Sequence, residues 1–374
     1  MTTATVPFHA APGRPAALSP PARAVWIDRL RACLTGLVIV HHAAITYGAS
    51  GSWFFKATDE TNIGLTFLAA VNQAFFMGLF FLLSGALAVP SLDRKGPATF
   101  FADRALRLGL PALLFGFLLG PLTVSLATAP MEDILADAQA RILEGRFVLG
   151  PLWFPAALLV FSTVFAALPR PVVSRLQVPP FKHWIALALA TGLAALAIRQ
   201  VVPVGATVAG FQLGYFASYV VLFALGIRAA RQGWLDRLPR GGLVGAVAAG
   251  LVALPLLPAV LLASEAPRFE TGLSAAAVAY ALWEPLIALG AIAGLLLWSQ
   301  ARGGRAARVW GWAAANSYGA FVLHAPILVA VCRSLDAVGT SHGAALPLSI
   351  VATTLAAFGL TAVLRRSALV RQVI

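Results

Sequence analysis

Ten stretches of about twenty apolar residues follow one another between residues 30 and 364, and they limit the possible folds more than any other feature of the chain. They run roughly over 30–48, 64–89, 105–129, 150–168, 184–203, 211–230, 242–263, 275–299, 312–333 and 344–364. A segment of this length crosses the hydrocarbon layer as a helix, because in lipid a backbone must satisfy its own N–H and C=O groups. The expected fold is therefore all-α: a polytopic membrane protein of about ten transmembrane helices. Composition agrees, with 11% charged residues where a soluble domain carries about 25%. The second stretch is long enough to tilt or to extend beyond the membrane. Pro111, Pro121, Pro255 and Pro258 fall inside spans and are expected to kink them.

The net charge of +13 would suggest nucleic acid in a soluble chain. Here the loops explain it, and no nucleic-acid partner is expected. One side of the membrane collects 21 of the 27 Lys and Arg, including Arg94, Lys95, Arg104, Arg107, Arg228, Arg231, Arg237, Arg240, Arg302, Arg305 and Arg308. The other side keeps Lys56, Arg141, Arg146, Arg199, Arg268 and Arg333, together with most of the acids. The bias recurs at every loop, so the positive-inside rule puts both termini in the cytoplasm. Residues 1–24 are rich in Ala and Pro and read as a disordered cytoplasmic tail, leaving 25–374 as a single transmembrane domain. The outer loop 130–149 spaces Ile134, Leu135, Ala138 and Ile142 as a short surface helix would, although a solvated connector fits as well. Cys33 and Cys332 fall at opposite faces, which argues against a disulfide. No clustered His/Cys/Asp set has metal-ligand spacing, so no metal or bound cofactor is expected.

A few polar groups inside the spans are candidates for chemistry. His41 and His42 sit in the first, and ionisable groups at membrane depth are costly enough to suggest function. Arg31 and His42 are eleven residues apart, about three helical turns, so they share one face at a separation of roughly 16 Å. The ordinary alternative is a snorkelling arginine and a packed histidine. Arg104 and Arg107, three apart at the start of the third span, could grip phosphates or simply anchor the helix. Glu284 in YALWEP must be paired, protonated or in a wet cavity, and the following Pro285 is compatible with a cavity. His324 in the ninth span is a second intramembrane histidine. Asn72, Gln73 and Ser84 read more simply as interhelical hydrogen-bonding groups.

Five segments, in order, resemble the acyltransferase 3 family of integral-membrane acyltransferases. IDRLRACLTGLVIVHHA is similar to that family's Arg–x10–His first span, and NQAFFMGLFFLLSGAL to its Phe-rich second span ending Leu-Ser-Gly. FFADRALRLGLPAL matches its basic Arg/Leu/Pro start of the third span, GPLWFPAALLVFS its Leu-Trp-Phe-Leu motif, and SYGAFVLHAPILV its Ser-Tyr…His-x-Pro motif. Gly78 stands where Pro is usual, Phe321 where Tyr is common, and Pro155 where Leu is, none of which removes a titratable group. The single-domain layout and the WEP segment resemble the branch that modifies glucans and other envelope polysaccharides.

The resemblance implies transfer of an acyl group, acetyl or succinyl, from a cytoplasmic acyl-CoA donor to a hydroxyl of an envelope glycan or lipid-linked acceptor, in the bacterial inner membrane. It places His42 and Arg31 in catalysis and Arg104 and Arg107 at the donor. Glu284, His324, Asp28, Trp153 and Ser84 are then cavity or acceptor candidates. The rival reading is a transporter in which His42, Glu284 and His324 relay protons. Single cysteines test the sidedness: at residue 58 they should label with an impermeant thiol reagent in intact cells, and at Arg305 they should not. Outside labelling of Arg305→Cys would reverse the topology.

Overall fold

A computed structural model describes residues 25–374 except 170–176, 236, 265–268 and 303–304. The tail expected at 1–24 lies outside the described residues. The helices are α1 (Val25–Thr46), α2 (Ile63–Lys95), α3 (Pro97–Thr128), α4 (Ile134–Leu143), α5 (Trp153–Ala167), α6 (Phe181–Arg199) and α7 (Phe216–Gln232). They continue with α8 (Arg240–Ala253), α9 (Leu256–Leu262), α10 (Ala275–Ala301), α11 (Ala307–Ala337), α12 (His342–Leu364) and α13 (Ala368–Val373).

Among the described residues nine helical segments are long and apolar enough to cross a membrane, with α8 and α9 counted together. The exception among the ten expected spans is α1. Its 22 residues would reach about 33 Å, but Asp28, Arg29, Arg31, His41 and His42 lower its hydropathy. The packing explains how it tolerates them: α2, α10, α11 and α12 surround it, so its environment is protein rather than lipid. Asn72 donates to the Leu37 carbonyl at 3.0 Å, the interhelical role expected of it. Arg29 is fully buried. It donates to the carbonyls of Ser299 (2.7 Å) and Arg305 (2.8 Å) at the end of α10, where backbone acceptors have no helical partner.

Three of the four prolines coincide with helix irregularities, of two kinds, while Pro258 lies in the first turn of α9. Pro255 separates α8 from α9. In α3, Pro111 and Pro121 each follow a π turn, at Ala105–Gly109 and Phe115–Leu119. Leu110 N donates to Ala105 O and Gly120 N to Phe115 O, five residues back. A proline ring clashes with the carbonyl four residues before it, and the wider turn moves that carbonyl aside without breaking the helix. The loop helix expected within 130–149 is present as α4.

Close packing rests on glycine. α2 and α7 meet backbone to backbone: a Cβ built on Gly85 would lie 2.2 Å from Phe223 O, and one on Gly226 2.0 Å from Leu82 O. Gly78, where the resemblance leads one to expect Pro, abuts Leu222, 2.5 Å from such a Cβ. Gly250 and Gly290 bring α8 and α10 together in the same way. Gly226→Ala should therefore destabilise the purified protein by about 1–3 kcal/mol, the usual range for overpacking. Gly359→Ala, whose Cβ meets nothing within 4 Å, should leave the melting temperature unchanged or slightly raised. Equal stability of the two variants would refute glycine-mediated packing between α2 and α7.

Candidate functional site

The outer half of α1 points two imidazoles toward the bundle interior, and the loop after α1 folds Trp53 back over them. The His42 ring stacks on Trp53, with centroids 3.7 Å apart and planes 13° from parallel. From α11, His324 brings Nε2 to 3.1 Å from His42 Nδ1. The His324 ring is fully buried, with Nδ1 against the Phe321 carbonyl one turn earlier. That carbonyl only accepts, so His324 Nδ1 carries a hydrogen. In a neutral His324, Nε2 is then an acceptor, and His42 Nδ1 must donate to it. The chain of bonds leaves His42 Nε2 with a lone pair and no protein partner, the arrangement required of a base.

His42 lines a cavity of about 810 Å³. Its lining includes the loop residues Ser50 to Ser52 and Glu270. Aromatic and amide groups furnish the far wall: Trp153, Tyr215, Tyr219, Tyr280, Gln73 and Gln212. Gln73 donates to the Tyr219 hydroxyl at 3.1 Å and lines the cavity, so it does more than join helices. His41 lines the same space but packs against Phe76, with centroids 5.0 Å apart. His41 Nδ1 and Trp53 Nε1 are buried without a hydrogen-bond partner. An unmade bond at such an atom costs about 1–3 kcal/mol, which a bound ligand can recover.

Behind the tyrosine wall, Glu284 forms a buried ion pair with Arg199. Arg199, at the end of α6, also donates to Gly214 O at 3.0 Å, and its guanidinium lies 4.9 Å from the Tyr280 ring centroid and 5.4 Å from that of Tyr215. Of the two readings in which Glu284 stays charged, pairing therefore holds, and the carboxylate does not line the His42 cavity. Arg199 had been assigned to an outer loop. One lone acid in the eighth span and one arginine at the edge of the fifth were the available signal that they belong together.

The other expected residues divide plainly. Trp153 lines the cavity, whereas His324 supports His42 from behind instead of lining it. Asp28, Arg31 and Ser84 lie outside this cavity, toward the basic end of α1 and α2. Arg31 is on the His42 face but three turns away. Arg104 precedes the first π turn and Arg107 lies within it, and the two guanidiniums have different neighbours. Arg104 lies over the Phe100 ring, 4.9 Å from its centroid, with Nε buried and unpartnered. Arg107 is half exposed and bonds Asp103 at 3.2 Å, an acid that Lys95 also holds at 2.9 Å. Sequence reasoning missed Trp53 altogether, because an aromatic in a loop gives no sign of which ring it will cover.

These features describe a polytopic membrane protein with a hydrogen-bonded imidazole pair closing the inner end of a cavity. A family model described as an acyltransferase domain matches residues 24–366. The chain therefore belongs to the acyltransferase 3 family and is a membrane acyltransferase. No curated protein and no solved structure matches it. With the family in place, the Phe321 departure has an explanation: His324 uses the backbone carbonyl of that residue, which Tyr and Phe share.

The buried pair gives a prediction separate from catalysis. Arg199→Met should destabilise the protein by about 3–5 kcal/mol, since it leaves Glu284 buried and unpaired. Adding Glu284→Met should restore most of that loss in a denaturation series. A double variant no more stable than the single would show that Arg199 acts through its tyrosine contacts instead.

Proposed function

We propose that this protein is an O-acyltransferase in which His42 Nε2 is the general base for an acceptor hydroxyl entering from the acid-rich, extracytoplasmic face. The observation that carries this reading is the bond from His42 Nδ1 to His324 Nε2 at the inner end of the cavity, which orients His42 with its other nitrogen free. The donor is an acyl-CoA on the cytoplasmic side, carrying acetyl or succinyl. Arg31, Arg104 and Arg107 serve its phosphates from the basic face, with Arg31 roughly 16 Å along α1 from the imidazole. The acceptor is a hydroxyl of an envelope glycan, free or lipid-linked, in the bacterial inner membrane. Aromatic faces interleaved with amides, as in Trp153, Tyr219, Gln73 and Gln212, suit a sugar ring.

In the step we infer, the hydroxyl oxygen attacks the thioester carbonyl as His42 Nε2 takes its proton. The C–S bond then breaks, and the departing thiolate takes the proton back from the imidazolium. A route through acylated His42 uses the same nitrogen, and rapid quenching distinguishes it by trapping an acyl-enzyme. The proton-relay transporter finds less support, because Glu284 is held by Arg199 and is not linked to the histidines.

The test is acyl transfer from labelled acetyl- and succinyl-CoA into envelope glycan, normalised to folded protein. His42→Ala should lose about 10²–10⁴ in rate, the usual worth of a general base. His324→Ala should lose less, and in kcat more than in KM, since it orients the base without touching substrate. His41→Ala should keep most of its activity. A fully active His42→Ala sinks the assignment, as does an inactive His41→Ala that still folds.

A further inference from the structure

A second cavity lies in the opposite half of the bundle and shares no lining residue with the first. It is a crevice between α6, α7, α8 and α10 with about 130 Å³ of free space, close to the size of engineered apolar cavities that take up benzene. Its walls are Trp184, Leu225, Leu238, Leu243, Ala246 and Ile292, among other apolar groups. The lining includes two hydroxyl side chains, Thr191 and Ser218. Thr191 is spent on the Leu187 carbonyl at 2.7 Å. Among the described residues no titratable side chain lines the space.

Charge at the rim decides what fills it. The crevice ends at the basic face, where Trp184 and Trp234 meet edge to face, with centroids 6.1 Å apart. Trp234 is buried and Trp184 partly exposed. Around them stand Lys182, Arg228, Arg237 and Arg240, all exposed. Lys182 follows the lining residue Phe181, and Arg240 follows the lining residue Pro239. Arg228 lies over the Trp234 ring at 5.6 Å, and Arg237 is drawn back to Gly233 O at 3.0 Å. In sequence, the whole stretch 177–243 contains a single acid, Asp236.

We propose that this crevice is a specific site for an anionic phospholipid of the cytoplasmic leaflet. One acyl chain lies between α6 and α8, and the phosphate rests on Lys182 and Arg240, with Arg237 beside them. A basic rim above an apolar slot between membrane helices recognises both parts of such a molecule, whereas a zwitterionic lipid satisfies only the slot. The position also gives the lipid a mechanical role. α6 and the α8–α9 segment are the helices least covered by protein, with 22% of each span buried. A chain seated between them braces α6 against α10, the two helices that carry Arg199 and Glu284. The proposal does not depend on the acyl-transfer reading.

The test uses protein delipidated in detergent and returned to mixed micelles with phosphatidylglycerol or phosphatidylcholine whose chains are brominated, which quench nearby tryptophan. Brominated phosphatidylglycerol should quench with a saturating component at low mole fraction, and that component should be absent in Trp184→Phe/Trp234→Phe. The triple variant Lys182→Ala/Arg237→Ala/Arg240→Ala, altered only at exposed positions, should shift half-saturation about 100-fold, from three surface charges. Native mass spectrometry should retain one phosphatidylglycerol per chain. Equal quenching by phosphatidylcholine would mean a slot filled by any chain and would overturn the proposal. An unshifted triple variant would overturn it equally.

Discussion

Every polar group placed at membrane depth must find its partner inside the protein, because lipid offers none. The architecture follows from meeting that demand around α1. Arg29 finds the open carbonyls at the end of α10, Asn72 reaches the α1 backbone, His42 finds His324, and Arg199 finds Glu284. All but the Asn72 bond, which joins the consecutive helices α1 and α2, link elements far apart in sequence, so the polar groups specify which helices are neighbours while the apolar bulk drives them together. Lipid does not drive helices together as water does, which is why glycine contacts such as Gly85 with Phe223 and Gly226 with Leu82 carry so much of the remaining specificity.

The same demand separates two kinds of intramembrane chemistry. The Arg199–Glu284 pair spends its two charges on each other, with Gly214 O and two tyrosine rings beside the guanidinium, although Arg199 Nη1 keeps no hydrogen-bond partner. The His42–His324 pair is open, because two neutral imidazoles joined by one bond leave one nitrogen uncommitted, and His42 lines the cavity. Glu284 does not line it, so the two pairs differ in access to the cavity. The unpartnered His41 nitrogen lies on the open side, in the lining of the cavity, and Tyr215 and Tyr280 lie between the two sites.

The spans were legible because hydropathy over twenty residues is a one-dimensional property, and each of the ten stretches falls on a helix. His42 was legible because an imidazole in lipid is conspicuous and its spacing from Arg31 survives a regular helix. Arg104 and Arg107, three apart, were expected as a pair, yet each side chain turns back to the residue four before it, one to the Phe100 ring and the other to Asp103. Trp53, Arg199 and the tyrosines depend on which distant helices touch, and a single sequence without its relatives holds no record of that.

The π turns of α3 carry a consequence for how this chain could change over generations. Each is equivalent to one residue spliced into an α-helix, which turns everything beyond it by about 100°. Removing a residue from either turn would restore ordinary geometry locally, at once rotating the rest of α3 and thrusting a carbonyl into the next proline. Length is thus fixed between Ala105 and Pro121 as firmly as in any core segment. An indel there should be a mark of lost function, and the two prolines and the two surplus residues can only have arisen, or be given up, together.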